Sequence, residues 1–392
     1  MPDTPDSLDI LDRLVAFETV SRTPNRALID YVQGLLEAAG ASCERVGSAD
    51  GASANLYARV GPAGAGVGGG GVLLSGHSDV VPVEGQDWTV APFRLTRRDG
   101  RLYGRGTADM KGFVACAVRA MILAAGRELR RPLHLALSYD EEIGCVGVRS
   151  LLDMLAAAPE RPALCLVGEP TGLAVATGHK GKIAARAVAT GREAHSALAL
   201  REGVNAVHPA ADFIQALRAL QDELAATGAQ DADYAVPHST VHVGIVRGGT
   251  ALNITPGRCT VDFEIRHLPQ DDPAALWARV EAAADAVSAD YPEGCGVAVE
   301  AVNRYPGLAT PAASEAVAFV TSLTGANATT KVAFGTEGGL FDARLGVPVV
   351  ICGPGSMDQG HKPDEFVTVS QIAACERMLE ALVDRLCREA PG

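Results

Sequence analysis

The sequence is poor in aromatic residues, poor in cationic residues and free of long apolar runs, and each shortage excludes a class of protein. Aromatic residues make up only 5% of the 392 residues, so Ala, Val and Leu must fill most of the core. Lys and Arg number 34 against 47 Asp and Glu, a formal charge of −13, which argues against a nucleic-acid or anionic-membrane partner. No apolar run reaches the roughly 18 residues of a membrane span. The 47% of hydrophobic residues excludes wholesale disorder.

The sequence also lacks the marks of an exported or disulfide-bonded protein. Its nine cysteines are odd in number and form no CxxC pair, so we expect reduced thiols. The N-terminal residues are acidic and lack the basic and apolar regions of a signal peptide. A glycine-rich stretch at 61–71 lacks the Lys-Ser/Thr ending of a phosphate-binding loop and is expected to be a flexible connection. These features predict a cytoplasmic globular protein.

Strand and helix patterns alternate along the first part of the chain. The apolar segments 72–77, 133–140 and 163–170 are typical of buried strands, and the segments 111–126 and 147–157 are typical of helices. This alternation predicts an α/β domain with a central, mostly parallel sheet. Binding sites in such domains lie at the carboxyl ends of the strands.

The pattern changes in the middle of the chain. Residues 179–297 contain segments in which polar and apolar residues alternate, together with two helical stretches, as expected of an α+β domain with an antiparallel sheet. The α/β pattern then returns. We therefore expect a catalytic α/β domain made of residues 1–178 and 298–392, interrupted by an inserted α+β lid or dimerisation domain at 179–297.

Residues that can bind metal ions follow the predicted strands. His77 ends one strand, Glu142 and Glu169 come at the ends of the next two, and His361 follows the glycine-rich turn that ends a fourth, whereas Asp109 precedes a helix. Each alone is more often structural, for example as a helix N-cap. Independent accidents rarely place a ligand type at four successive strand ends. The mixture of imidazole and carboxylate groups favours zinc, cobalt or manganese over magnesium.

Several carboxylates buried side by side need cations to offset their repulsion. One carboxylate shared by two cations would hold them roughly 3.5 Å apart, the usual two-metal arrangement for hydrolysis. His134 and Asp99 are expected to be structural and receive no role.

Six segments together resemble a known family. They are SGHSDVVPV (75–83), WTVAPF (88–93), LYGRGTADMKG (102–112), YDEEIG (139–144), GEPT (168–171) and GPGSMDQGHKPDEF (353–366). They are similar to motifs of the dizinc deacylases and exopeptidases, which include acetylornithine deacetylases, succinyl-diaminopimelate desuccinylases, aminoacylases and carboxypeptidases. The resemblance spans essentially the whole chain, with the insertion where the family has its lid and dimerisation domain.

The resemblance implies a metal centre and a catalytic base. The implied ligands of two divalent ions, zinc first and cobalt or manganese as alternatives, are His77 and Glu169 for one ion, Glu142 and His361 for the other, and Asp109 as the bridge. Glu141 would be the general base that takes a proton from the attacking water. Asp79 would accept the second ring N–H of His77 and orient the imidazole. Asp140 is expected to serve the turn.

The resemblance also implies contacts with a small N-acylamino acid substrate. His195 would reach from the inserted domain into the active site of the partner subunit of a homodimer and stabilise the oxyanion. Asn253 and Arg266 would bind the carboxylate of the substrate. The residues expected in loops that line the pocket are Thr336, Gly338 and Ser356.

Within the family, the segments 168–182, 195–206 and 334–341 are most similar to acetylornithine deacetylases. The implied reaction is hydrolysis of N-acetyl-L-ornithine to L-ornithine and acetate, a step of arginine biosynthesis, and Glu337 could meet the ammonium of ornithine. Open alternatives are a desuccinylase of succinyl-diaminopimelate, an acetylcitrulline deacetylase, a broad aminoacylase, and a carboxypeptidase or dipeptidase. A non-catalytic scaffold would be expected to lack metal ligands, and none is missing.

Overall fold

The computed structural model describes residues 5–62 and 70–388. Its strands are β1 (Ser42–Gly47), β2 (Ala54–Val60), β3 (Val72–His77), β4 (Thr96–Arg98), β5 (Arg101–Tyr103), β6 (Leu133–Ser138), β7 (Leu164–Pro170), β8 (Val175–His179), β9 (Gly181–Thr190), β10 (Thr240–Gly248), β11 (Arg258–His267), β12 (Gly296–Tyr305), β13 (Leu308–Ala309), β14 (Thr329–Val332), β15 (Val349–Gly353) and β16 (Phe366–Thr368). Its α-helices are α1 (Ser7–Val15), α2 (Arg26–Ala38), α3 (Lys111–Ala125), α4 (Val148–Ala157), α5 (Ala199–Glu202), α6 (Val207–Thr227), α7 (Pro273–Ala289), α8 (Glu315–Thr324), α9 (Gly338–Leu345) and α10 (Val369–Leu386). The glycine-rich stretch predicted as a flexible connection falls mainly on residues 63–69, outside the described residues.

The chain divides into two compact units. The first comprises Met1–Gly178, Leu308–Val332 and Thr336–Gly392, and the second comprises His179–Gly307 and Ala333–Gly335. The second unit extends past the expected boundary at 297 because β12 pairs with the central strand β9 from its first residue to its last.

A large sheet organises the first unit. Over the described residues it has nine strands in the order β1-β2-β6-β3-β7-β15-β8-β13, with β14 paired to β8. The neighbours β6, β3, β7 and β15 run parallel, and every residue of these four strands is buried. Continuous burial is typical of parallel strands covered on both faces. The predicted α/β class with a central, mostly parallel sheet is confirmed.

Helix α3 lies at the centre of the first unit. It contacts β3, β6 and β7 as well as α1 and α10, and most of its residues are buried, including Phe113, Val114 and Met121. A helix that is apolar on nearly all sides must be enclosed by other elements. Because α3 is enclosed in this way, the loop that ends at its first residue, Lys111, is anchored to the core.

The second unit is a smaller antiparallel structure. In the part of it that the structure describes, four strands follow the order β10-β11-β9-β12. Buried and partly exposed residues alternate along β9 and β11, as expected when one face packs and the other faces water. The buried residues form one cluster with Phe213 of α6 and Trp277 of α7, so the two helices cover one face of the sheet.

Two further observations concern the expectations drawn from composition. All nine cysteines lie within the described residues, and each is a free thiol. Among the described helices, none combines the length and apolar composition needed to cross a membrane.

Candidate metal centre and active site

Three parallel strands bring predicted ligands to one edge of the sheet. His77 is the last residue of β3, and Glu169 lies near the end of β7. The turn that carries Glu142 follows β6, whose last residue, Ser138, is paired in register with His77. Since parallel strands end at the same edge, their side chains meet there.

Asp109 joins the predicted ligands into one cluster. Its Oδ1 lies 3.1 Å from Nε2 of His77, and its Oδ2 lies 3.2 Å from Nε2 of His361. The same Nε2 of His361 is 3.0 Å from Oε2 of Glu142, and Nε2 of His77 is 3.8 Å from Oε1 of Glu169. The five residues therefore form two sets that share a carboxylate, which is the arrangement required of a bridging ligand.

Glu141 lies beside one of these sets. Potential ligand atoms of His77, Glu141 and Glu169 lie within 4.8 Å of one another, as do those of His77, Asp109 and Glu142. A carboxylate in this place can accept a proton from a water molecule held in the cluster, because general bases act at hydrogen-bond distance.

Burial strongly perturbs the carboxylates. His77 is 1% exposed and Glu169 is 3% exposed, whereas the side chain of His361 is 44% exposed. Burial raises the pKa of Glu141 and of Glu169 well above the usual range. It also raises the pKa of Glu142 to about 7, and the charge of Asp109 adds to this. The cluster thus contains more buried acid than protein groups can neutralise.

In the two histidines and Asp109, by contrast, the surroundings favour the charged form. Burial disfavours the charged form of His77, but Asp109 and Glu169 outweigh it and raise the pKa of His77 well above its usual value. Hydrogen bonds with Asp109 and Glu142 raise the pKa of His361 to about 10. Although burial opposes it, contact with both histidines holds the pKa of Asp109 below its usual range.

The cluster fits divalent cations. Oε1 of Glu142 is buried and has no hydrogen-bond partner among the residues that the structure describes, and such an oxygen is costly unless something positive meets it. Nitrogen and oxygen donors in this mixture suit zinc, cobalt or manganese. The donor set and the orphaned oxygen therefore agree with the metal centre expected from the sequence.

The contact of Asp79 with His77 differs from the expected one. Nδ1 of His77 donates to the backbone carbonyl of Asp79 at 2.9 Å, whereas the nearer carboxylate oxygen lies 3.6 Å away. The carboxylate instead accepts the hydroxyl of Ser21 at 2.7 Å and the backbone N–H groups of Glu141 and Glu142 at 3.0 and 3.3 Å. The reason is that the turn after β6 presents two N–H groups to it. Asp79 thus orients the imidazole through its main chain and the acidic pair through its side chain.

The His77 contact also fixes the ring tautomer. A carbonyl oxygen only accepts hydrogen bonds, so Nδ1 of His77 carries the proton. Nε2, which faces Asp109 and Glu169, is then left with its lone pair when the ring is neutral. That is the form in which histidine binds a metal ion.

A buried ion pair that the sequence analysis missed supports Asp109. Oε1 of Glu365 accepts the backbone N–H groups of Ala108 and Asp109 at 2.9 and 3.1 Å, and its Oε2 lies 2.7 Å from Arg105. Both members of the pair are 1% exposed. Arg105 and Glu365 stand inside the motifs 102–112 and 353–366, but only the tertiary structure shows that they meet.

The residues expected to contact the substrate fall in both units. In the second unit, His195 and Asn253 are exposed, and their two segments meet because the backbone N–H of Ser196 donates to the carbonyl of Asn253 at 3.0 Å. Arg266 lies on β11 and forms a two-pronged contact with Glu264. In the first unit, Ser356 forms a β-bridge with Thr171, just past Glu169.

Thr336, Glu337 and Gly338 lie at the start of α9 and are buried. The hydroxyl of Thr336 accepts the N–H of Gly338 at 2.9 Å, a local turn contact of a kind common for Ser and Thr. Glu337 is 2% exposed and accepts the Ser138 hydroxyl at 2.6 Å. Burial raises the pKa of Glu337 to about 7. A carboxyl that is buried and engaged in this way does not suit the role of meeting an exposed ammonium, so that expectation is corrected.

His134 has the structural environment expected of it. Its Nδ1 and Nε2 contact the Tyr57 hydroxyl at 2.7 Å and the carbonyl of Gly70 at 2.6 Å. Burial lowers its pKa to about 4, so the ring is neutral at physiological pH.

Comparison with known proteins decides the family. Residues 73–385 match the model of Peptidase family M20/M25/M40. The chain belongs to this family. It is therefore a metallo-hydrolase. Acetylornithine deacetylase of Myxococcus xanthus is 37% identical over 96% of each chain, and that of Proteus mirabilis is 33% identical over 98% of this chain and 97% of the relative.

Solved structures agree with the fold. An M20 family metallo-carboxypeptidase from Sulfolobus solfataricus superposes with a TM-score of 0.79, covering 97% of this chain and 99% of the other at 18% identity. At that identity the likeness concerns the fold. The M20 fold thus provides the sheet edge at which the predicted ligands of this hydrolase meet.

Replacing Glu365 should loosen the metal centre of the M20 hydrolase. In Glu365→Gln the charge that pairs with buried Arg105 is lost, and breaking such a pair costs about 3–5 kcal/mol. Displacement of the Asp109 backbone should weaken cobalt binding by about 10–100-fold, measured by isothermal titration calorimetry. The matched control is Asp153→Asn, which removes an exposed partner of Arg344 and should leave affinity unchanged. Equal affinities in both variants would contradict the assignment.

Metal binding should depend on pH. Without cations, Glu142 (pKa about 7) and His361 (pKa about 10) are protonated at pH 6, and both must lose their protons to bind a metal ion. At pH 8 Glu142 is ionised and His361 still releases a proton. Apparent cobalt affinity should therefore rise from pH 6 to 8 while fewer protons are released, as measured by calorimetry in buffers of different ionisation enthalpy. His361→Asn should release one proton fewer. An affinity that is flat across this range would rule the assignment out.

Proposed function

We propose that this M20 hydrolase removes the acetyl group of N-acetyl-L-ornithine and produces L-ornithine and acetate. The observation that carries the proposal is similarity to acetylornithine deacetylases along nearly the full length of both chains. Arginine biosynthesis is the pathway in which this reaction would serve. The nine free thiols support a reducing compartment, and we place the enzyme in the cytoplasm.

The cluster at the sheet edge is proposed to hold two divalent cations. The ligand assignment is His77 and Glu169 for one, Glu142 and His361 for the other, and Asp109 for both. Charge supports two cations, because their four positive charges equal the four negative charges of ionised Asp109, Glu141, Glu142 and Glu169. When bound, zinc, cobalt or manganese polarises the amide carbonyl and lowers the pKa of the attacking water.

Glu141 is proposed to move the proton. It accepts a proton from the attacking water while the new C–O bond forms, and delivers it to the amine nitrogen as the C–N bond breaks. The raised pKa of this buried carboxyl makes it a stronger base than an exposed glutamate. Asp79 accepts the backbone N–H of Glu141 and thereby fixes the backbone position from which the side chain of the base extends.

His195 is proposed to stabilise the oxyanion. Its Nδ1 accepts the backbone N–H of Ala197 at 3.2 Å, so the neutral ring carries its proton on Nε2. The outward nitrogen is then a hydrogen-bond donor, which a developing negative charge requires.

Arg266 is proposed to bind the substrate carboxylate together with Asn253. Its Nε and one terminal nitrogen contact Glu264 at 2.9 and 3.3 Å, and the other terminal nitrogen donates to the hydroxyl of Tyr305 at 3.0 Å. These contacts use three of the five N–H groups of the guanidinium and orient its plane, and preoriented terminal N–H groups bind a carboxylate with less entropic cost.

A homodimer through the second unit is part of the proposal. Strand β10 lies at the edge of its sheet, and Ile245 and Val246 on it are 43% and 51% exposed. An edge strand with exposed apolar side chains invites pairing with another strand. Antiparallel pairing with β10 of a second copy satisfies two-fold symmetry, so a second copy is the proposed partner.

The first test is hydrolysis of N-acetyl-L-ornithine by zinc- or cobalt-loaded protein. We expect kcat/KM of about 10⁴ M⁻¹s⁻¹ or more, measured by acetate release. Glu141→Gln should keep its metal content and lose about 10²–10⁴-fold in kcat. His134→Gln changes a histidine that has a structural role only, so it is the control and should stay active.

Other outcomes of this test separate the alternatives. Low activity on acetylornithine with high activity on a succinyl, citrulline or dipeptide substrate would retain the hydrolase and reject the ornithine assignment. A fully active Glu141→Gln variant would reject the general base.

The dimer and the role of His195 can be tested together by mixing inactive subunits. Glu141→Gln lacks the base and His195→Ala lacks the oxyanion donor, so a heterodimer contains one site with both groups when His195 acts across the interface. Random exchange should restore about a quarter of wild-type activity. As the control, either single variant is mixed with the double variant Glu141→Gln/His195→Ala, and this mixture should recover no activity. Failure of exchanged subunits to recover activity would place His195 in its own subunit's site.

A further inference from the structure

The turn after β6 folds back onto Glu141. The carbonyl oxygen of Glu141 accepts the backbone N–H groups of Gly144 and Cys145 at 2.8 and 2.7 Å. Both residues have positive φ, 115° for Gly144 and 54° for Cys145. Side-chain-bearing residues adopt this region rarely because their Cβ crowds the backbone. The fold nevertheless keeps a cysteine here, and the turn places it next to the proposed base.

The thiol of Cys145 contacts the carboxylate of Glu141 directly. Its Sγ lies 3.3 Å from Oε1, and the two residues are 1% and 9% exposed. An ionised carboxylate can only accept, so the thiol is the donor. The carbonyl of Cys145 accepts Nε of Arg149 at 3.2 Å. The cysteine is therefore held on both its main-chain groups while its side chain points at Glu141.

We propose that Cys145 is a positioning residue that holds Oε1 of Glu141 so that Oε2 is presented to the attacking water. This inference rests on the proposed hydrolysis, in which Glu141 is the general base. A carboxylate free to rotate about its terminal bond spends only part of its time with an oxygen at hydrogen-bond distance from the water. A donor on one oxygen restricts the rotation, and proton transfer depends on that geometry.

The chain offers a matched control thiol. Cys165 lies on β7 within the same unit and is 0% exposed. Replacing it with alanine removes an equally buried sulfur from the same unit. Any loss caused only by a cavity should therefore be shared by Cys165→Ala and Cys145→Ala.

The kinetic test compares Cys145→Ala, Cys145→Ser and Cys165→Ala on the N-acylamino acid that the wild type hydrolyses best. Cys145→Ala should lower kcat by about 10-fold, with KM nearly unchanged, because only the orientation of the base is lost. Cys145→Ser should recover most of kcat, since a hydroxyl also donates to the carboxylate. Metal content should be the same in all variants. Equal kcat in Cys145→Ala and Cys165→Ala, or no recovery with serine, would overturn the inference.

An infrared measurement tests the contact without catalysis. The S–H stretching band of Cys145, obtained as wild type minus Cys145→Ala, should lie at lower frequency than the same band in a Glu141→Ala background. The Cys165→Ala background should leave it in place. An unmoved band on removal of Glu141 would overturn the inference about Cys145 alone. A wild-type protein that hydrolyses no N-acylamino acid would instead overturn the proposed function.

Discussion

Mutual repulsion of buried carboxylates is the constraint on which the rest of this structure depends. Asp109, Glu141, Glu142 and Glu169 meet at one edge of the sheet, and burial raises the pKa of the three glutamates. Such a group of acids is stable only when the chain forces it together and positive charge offsets it. Parallel strands that are buried along their whole length hold the acids together, because the packed core on both faces of the sheet fixes the strands.

Residues outside the implied ligand set hold the loops of the cluster in place. The side chain of Asp79 holds the Glu141–Glu142 backbone, and Glu365 holds the backbone of Asp109. Each accepts hydrogen bonds from main-chain N–H groups, so it fixes the backbone of the ligand residue rather than its carboxylate. The ligand loops are thereby tied to each other as well as to the sheet, and the arrangement of the acids depends less on the flexibility of any one loop.

The sequence predicted β3, β6, β7, α3 and α4 and named the residues that meet in the cluster, but it did not predict their supporting contacts. Apolar runs locate strand ends to within a few residues, as for β3 and β7, and the motifs name the implied metal ligands. The choice of hydrogen-bond partner depends on backbone dihedrals that residue types do not determine. Asp140 and His361 both take positive φ, and His77 meets the carbonyl of Asp79 rather than its carboxylate. The pairing of Arg105 with Glu365 spans most of the chain, and local patterns carry no signal for it.

The implied metal centre lies in one unit, whereas the implied substrate contacts come from both. Every implied metal ligand and the proposed base belong to the first unit, whereas His195, Asn253 and Arg266 belong to the second. A metal centre of this kind hydrolyses linear amides in general, so discrimination must come from groups that contact the rest of the substrate. Glu337 does not supply it, because its carboxyl is buried against Ser138. The proposed substrate carries a carboxylate, which needs a placed cation, and Arg266 is the proposed one.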